Sequence, residues 1–253
     1  MREYEKSVKR QFGDRIWFIG LQGSYGRGEA TESSDIDVVL ILDRLSAKDV
    51  EAYANLLDPM PCREKICGFI SGKEEVMSWE PSDLFQLCRD TVPIFGSLDS
   101  LFGHIHRTDI HRAIHMGACN IYHMCVHNMI HEKNGEVLRD LYKSAVFPLQ
   151  AVGYLQTGIY DRKSAELKER LSPEDRRILE IAIKLKTAKS CPSDDFLPLS
   201  RILMEWASGW ICRQGEERQT GQSDQPKIHH TVNCIRSGSD SSISRKSGTE
   251  GNP

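Results

Sequence analysis

Two aspartates at the start of an apolar run are the residues best suited to chemistry. Asp35 and Asp37 flank Ile36 in the sequence SDIDVVLIL, and alternate residues of a β-strand project from the same face of the sheet. Two adjacent carboxylates repel each other unless a cation lies between them or one of them is protonated. Oxygen ligands of this kind suit Mg²⁺, which also takes phosphate oxygens and water. The pair therefore predicts a metal site that serves phosphoryl transfer.

A glycine-rich segment, QGSYGRG, precedes the aspartates and follows another apolar run. If that run is a strand, the backbone N–H groups of Gly23 and Ser24 are free to face an anion. Glycine lets a phosphate approach the main chain, the Ser24 hydroxyl adds a donor, and Arg27 can neutralise a phosphate. Together with the aspartates, this segment predicts a site for a metal-chelated nucleoside triphosphate.

The elements that must position these residues alternate between strands and helices over the first hundred residues, which predicts an α/β unit around a small sheet. Strands are predicted at 15–22, 35–42 and 64–71, with a short extended stretch at 92–97. Helices are predicted at 3–11, 46–60 and 80–91, with Ser46 and Ser82 as N-caps. The Gly-Ser turn then lies where one strand ends, and the aspartates lie where the next begins.

The second half of the chain has a different character, because from residue 108 to about 211 only helical periodicity is present. Helices are predicted at 108–132, 136–160, 172–188 and 194–211, the second of them kinked or split near Pro148. Several helices with short links predict a bundle. Beyond Cys212 the chain is rich in Ser, Gly and Gln, which predicts a disordered tail over 213–253.

The segment GSYGRGEATESSDIDVVL resembles the signature of the DNA polymerase β-like nucleotidyltransferase superfamily, in which Gly-Ser is followed after ten residues by Asp-x-Asp on the next strand. GRGEA and SDID are most similar to the minimal nucleotidyltransferases of bacteria and archaea, and the spacing is also that of antibiotic adenylyltransferases. The resemblance covers roughly the first hundred residues and implies a nucleotidyltransferase palm around a small mixed β-sheet, which we expect at 1–103. Together with the α-helical bundle that periodicity predicts at 104–212, this gives an expected α+β fold. It implies that Gly23 and Ser24 bind the phosphates and that Asp35 and Asp37 bind Mg²⁺ or Mn²⁺.

The activity implied is transfer of a nucleoside monophosphate from a nucleoside triphosphate, expected to be ATP, to a hydroxyl of an acceptor. A small-molecule acceptor is expected, because the added bundle resembles the layout of aminoglycoside adenylyltransferases. Two alternatives stay open. One is an AMP-transferring regulator of another protein, as some minimal nucleotidyltransferases are in toxin–antitoxin pairs. The other is a nucleotide-binding module with weak or no catalysis.

A third carboxylate is the family feature that the sequence matches least well. In this family it lies on a later strand, where it helps to bind metal or accepts the acceptor's proton. The corresponding segment, REKICGFIS, has its only acid at its start, and Glu64 is therefore the predicted third catalytic residue. Glu74, Glu75 and Asp83 are alternatives in the segment that follows.

The sequence gives weaker support to two other kinds of site, a different phosphate-binding loop and a transition-metal site. The glycine order of this segment, G-x-x-G-x-G, is not the G-x-G-x-x-G of a dinucleotide-binding fingerprint. The segment also lacks the Gly-Lys-Ser/Thr of a Walker loop. Seven of the nine histidines fall between His104 and His131, with a four-residue step from His123 to His131. Such i,i+4 pairs can chelate a transition metal, but no carboxylate or cysteine cluster accompanies them. A polar or cleft-lining helix face is the favoured interpretation.

Charge and composition limit the partners. The formal net charge of -3 gives no strong field for nucleic acid or an anionic membrane. The charged N-terminus lacks the apolar segment of a signal peptide, no apolar run is long enough to span a bilayer, and the eight cysteines form no C-x-x-C pair. We expect a cytoplasmic protein that binds a nucleotide and an acceptor, with a homodimer left open.

Overall fold

The computed structural model describes residues 1–32, 34–188 and 193–221. The strands are β1 (Ile16–Leu21), β2 (Ile36–Leu42), β3 (Ile66–Gly72) and β4 (Val92–Phe95). The helices that follow or connect them in the first half are α1 (Arg2–Phe12), α2 (Gly23–Arg27), α3 (Ala47–Leu57), α4 (Lys73–Met77), α5 (Pro81–Asp90) and α6 (Asp99–Phe102). The second half contains α7 (Arg107–His127), α8 (Gly135–Thr157), α9 (Ser164–Lys168), α10 (Pro173–Thr187) and α11 (Ser193–Gly221).

The strands form one mixed sheet in the order β3-β2-β1-β4. β1 pairs antiparallel with β2 and β4, whereas β2 pairs parallel with β3. Parallel strands need a long crossover, and α3 supplies it. The mixed sheet and the predominantly helical second half confirm the predicted α+β class.

Alternation along β2 gives the sheet two apolar faces. Val38 and Leu40 point into a core shared with α1 and α3, whereas Val39 and Ile41 point into a second core shared with α4, α5 and α6. All four side chains are buried. Because both faces of β2 are covered beyond residue 37, the only polar position of the strand lies at its start.

The second half packs around its own core, to which α7, α8, α10 and α11 contribute apolar side chains. Phe85 of α5 also belongs to this core, so the sheet region and the helical region are joined by an apolar contact. α8 runs unbroken through Pro148, so the helix is not split there, and the alternative of a kink near Pro148 stays a prediction. Among the described residues, no helix is both long and apolar enough to cross a membrane.

Several predicted bounds need correction. Ser82 does not cap α5, because Glu80 is the N-cap and Pro81 takes the first helical position, where its missing N–H is not needed. α11 continues to Gly221, past the predicted end of the bundle at residue 212. The rest of the predicted tail, 222–253, lies outside the described residues, and the division into domains stays a prediction.

Candidate active site

The predicted metal ligands lie at the start of β2. Asp37 is half-buried on the sheet face that continues into Val39 and Ile41, and Asp35 lies exposed just before the strand. Burial raises the pKa of Asp37, the Lys143 ammonium opposes this shift, and the Asp35 carboxylate adds to it. Asp37 is therefore a carboxylate whose negative charge its surroundings compensate only in part. A cation bound at this point would supply the missing charge.

The Gly-Ser segment forms the short helix α2 directly beside Asp37. Gly23 has a φ of 63°, and a Cβ at this position would lie 2.1 Å from Oδ2 of Asp37. The backbone N–H of Gln22, which precedes α2, donates to the Asp37 carbonyl oxygen at 2.8 Å. The two motifs thus share one site, and only glycine fits against the carboxylate.

A residue that the sequence did not single out supports α2 from within the protein. Asp90, the last residue of α5, is 1% exposed. Its Oδ2 accepts hydrogen bonds from the Gly23 backbone N–H at 3.2 Å and from Nη1 of Arg27 at 3.0 Å. The Gly23 amide, predicted to face an anion, is therefore bonded to a carboxylate. The Arg27 charge, predicted to neutralise a phosphate, is paired within the protein.

The helical region contributes two cations to the same site. Lys143 of α8 is the charge that most strongly opposes the raised pKa of Asp37. Lys186 of α10 donates from Nζ to the Glu29 carbonyl oxygen at 2.9 Å. Burial lowers the pKa of Lys186, Glu29 opposes that shift, and Arg27 and Lys143 add to it. Neither lysine had a distinguishing signal in the sequence, because each lies on an ordinary amphipathic helix.

The site combines carboxylates at the start of a strand, a Gly-Ser helix beside them and two lysines that interact electrostatically with its charged groups. This is the setting expected for a bound triphosphate. Residues 1–102 match the family described as a nucleotidyltransferase domain. These residues form a nucleotidyltransferase domain. The predicted superfamily is thereby confirmed.

Two curated relatives of the nucleotidyltransferase domain come from Methanocaldococcus jannaschii and are named as protein adenylyltransferases, MJ1305 and MJ1379. The first is 38% identical over 56 residues, 22% of this chain and 38% of its own length. The second is 35% identical over 68 residues, 27% of this chain and 63% of its own length. The matches thus span less than two thirds of either relative.

A solved structure extends the likeness into the helical region. The spectinomycin adenyltransferase AAD(9) from Enterococcus faecialis, crystallised with ATP and spectinomycin, superposes with a TM-score of 0.55. The match covers 85% of this chain and 97% of that chain at 14% sequence identity. At this identity the match establishes a shared fold for the nucleotidyltransferase domain together with most of the helical region.

The position beside Asp37 on the next strand holds a thiol. The parallel register of β2 and β3 pairs Asp37 with Cys67, and Cys67 is exposed. Glu64, the predicted third carboxylate, lies exposed in a 3₁₀ turn (Arg63–Lys65) before β3 begins. Within the described chain, no three His, Cys, Asp or Glu side chains converge to hold a metal ion. The nucleotidyltransferase domain therefore presents two carboxylates at this point.

The histidine-rich helix is α7, continued by a π-helical turn (Asn128–Glu132). The rings of His127 and His131 lie 4.8 Å apart, and Nδ1 of His127 is 3.5 Å from the Glu132 carboxylate. In the part of the chain that the structure describes, these side chains do not form a group that could hold a metal ion. These contacts fit the interpretation of a polar helix face.

A cavity of about 300 Å³ lies between α5, α7 and α8. Its polar lining consists of Ser82, Asp83, Gln86, Asn120 and Ser144, with Tyr160 at one side. Burial raises the pKa of Tyr160, and the negative charge of Asp90 raises it further. Tyr160, which lines the cavity, is thus within electrostatic range of the Asp90–Arg27 ion pair that supports α2.

Proposed function

We propose that this protein transfers AMP from ATP to a hydroxyl group of a small-molecule acceptor, with Mg²⁺ or Mn²⁺ as the metal. One observation carries the proposal: the Asp37 carboxylate packs against Gly23 of the Gly-Ser helix, and the Lys143 charge opposes the rise that burial causes in its pKa. This arrangement combines ligands for a hard cation with charges that suit a triphosphate.

Asp35 and Asp37 are the residues that would hold the metal. Their oxygen ligands suit a hard divalent cation, and the raised pKa of Asp37 reflects a negative charge that a cation would compensate. A metal bound there would supply neutralisation of charge at the reacting phosphate. The absence of a Cβ on Gly23 lets Oδ2 of Asp37 lie directly against the start of the Gly-Ser helix.

The remaining residues would bind and orient the nucleotide. The Ser24 hydroxyl lies at the start of α2 and would donate to a phosphate oxygen, and Lys143 and Lys186 would neutralise the outer phosphates from the opposite side. In the reaction, the acceptor oxygen bonds to the α-phosphorus while the bond to pyrophosphate breaks. Glu64, exposed before β3, would accept the proton that the acceptor hydroxyl loses, rather than bind the metal. Positioning and charge neutralisation then account for most of the rate.

A small-molecule acceptor is favoured by the cavity between α5, α7 and α8, because its volume of about 300 Å³ falls at the lower end of typical ligand pockets. AAD(9), which shares the fold, holds spectinomycin in its crystal. A protein acceptor is the second candidate, because both curated relatives are named as protein adenylyltransferases. The cytoplasmic location and a homodimer stay predictions.

The test is incubation of the protein with α-labelled ATP and Mg²⁺ in the presence of a panel of hydroxylated small molecules, with Asp37→Ala as the matched inactive variant. Label on a small molecule, absent in Asp37→Ala, supports the proposal. Label on this protein or on an added protein supports the regulator. ATP binding without transfer to any acceptor in the panel would contradict the enzyme and leave a nucleotide-binding module.

A further inference from the structure

Asp90 holds both ends of the Gly-Ser helix. α2 begins at Gly23 and ends at Arg27. The Asp90 carboxylate accepts from the backbone of the first residue at 3.2 Å and from the side chain of the last at 3.0 and 3.3 Å. A five-residue helix has little stability of its own, so its position depends on contacts of this kind.

The burial of this ion pair decides how Arg27 can be used. Asp90 is 1% exposed, and the Arg27 side chain is 13% exposed. Removal of one partner from a buried pair leaves an uncompensated charge and is strongly destabilising. Arg27 therefore cannot turn toward a phosphate without leaving Asp90 unpaired.

Glu29 extends the same network into the helical region. Its Oε2 lies 3.5 Å from Nε of Arg27, and its Oε1 accepts from the backbone N–H of Ser164 at 2.9 Å. Ser164 is the first residue of α9. Arg27 is thus held between two carboxylates, one from the sheet region and one that is anchored to the helical region.

We propose that Asp90 is the positioning residue of the nucleotide site. It fixes Gly23 against Asp37 through the Gly23 amide, and it keeps Arg27 as a structural partner rather than a phosphate ligand. Asp90 does not touch the nucleotide itself. The expected effect on the KM for ATP rests on the proposed function, because Asp90 positions residues of that same nucleotide site.

The test compares two double variants, because the single change Asp90→Asn would leave Arg27 buried and unpaired. Arg27→Met with Asp90→Asn removes both charges but keeps an oxygen that can accept from Gly23. Arg27→Met with Asp90→Leu removes both charges and that acceptor. Apolar replacement of a complete buried ion pair is often neutral for stability, and a thermal melt of each variant checks that it is folded.

Two readouts are measured, the KM for ATP and amide hydrogen exchange at Gly23. In the Asn variant we expect a KM within about twofold of wild type and a protected Gly23 amide. In the Leu variant we expect the KM for ATP to rise and the exchange rate of the Gly23 amide to increase, each on the order of tenfold. This factor corresponds to the loss of one hydrogen bond.

Equal, large increases of KM in both variants would overturn the inference, because Arg27 would then contact the phosphates directly. Unchanged exchange at Gly23 in the Leu variant would also overturn it. The exchange measurement needs no nucleotide. Failure of the wild-type protein to use ATP would therefore refute the proposed function and withdraw the kinetic part, while the exchange pattern would still decide whether Asp90 holds the turn.

Discussion

Replacement of Gly23 by alanine tests the contact between α2 and Asp37, the carboxylate that we propose binds the metal. The new Cβ would lie 2.1 Å from Oδ2 of Asp37, whereas real Cβ contacts essentially never fall below 3.0 Å. The carboxylate must therefore withdraw by about 0.9 Å, or α2 must move by a similar amount. Mg²⁺ binds oxygen at about 2.0–2.1 Å with little tolerance, and a misplacement of about 1 Å can cost about 100-fold in rate.

Gly28 provides the matched control for this change. It ends the same helix with a φ of 72°, but a Cβ there would meet nothing within 4 Å. Both alanine variants lose about 1–2 kcal/mol of stability to a left-handed conformation, so both should melt at a lower temperature than wild type. We expect Gly23→Ala to lose about 100-fold in AMP transfer, measured with labelled ATP, and Gly28→Ala to stay within about threefold of wild type. Comparable transfer rates in the two variants would refute the reasoning.

Three further predictions concern the charges at the site. Because the pKa of Asp37 is raised in the folded protein, stability falls as the pH rises from the unfolded pKa of about 3.9 to the folded pKa, and the loss is complete above it. Asp37→Asn should therefore melt at a higher temperature than wild type at neutral pH without divalent metal, and at the same temperature below the unfolded pKa. Lys143→Ala should move the acid limb of the pH–rate profile to higher pH, and Lys143→Arg should restore it. Cys67→Asp adds a carboxylate beside Asp37, so the Mg²⁺ concentration for half-maximal transfer should fall on the order of tenfold; an unchanged requirement would show that Cys67 does not face the metal.

The strands that carry the motifs were predictable because their signals are local. β1 and β2 are continuous apolar runs bounded by glycine or acidic residues, and both were assigned to within a residue or so of their ends. The sequence predicts a turn at α2 that could be helical, but no more than that, because its composition, GSYGR, favours neither helix nor strand. β3 begins at Ile66 instead of Glu64, because residues 63–65 form a 3₁₀ turn that resembles a strand start in sequence.

The support of the site was not predictable, because it depends on tertiary contacts. Asp90 lies 67 residues from Gly23, and Ser164 lies 135 residues from Glu29. Asp90 had one weak signal, a charged residue that ends an amphipathic helix directly before a strand. Lys143 has no such signal in the sequence, because it resembles any other exposed lysine. Only the fold brings its charge within electrostatic range of Asp37.

The pairing of β1 with β2 has a consequence for the order of folding. Gly23 lies in the 14-residue connection between the antiparallel strands β1 and β2, and Asp37 lies near the start of β2, so the loop to close is short. Contacts of short sequence separation can form early, whereas those of Asp90 and Ser164 await distant segments. A refolding chain would therefore acquire the phosphate-binding and metal-binding motifs together, and the fixed geometry between them only when α5 and α9 dock. Recovery of nucleotide binding should lag behind formation of the β1–β2 pair in a stopped-flow experiment.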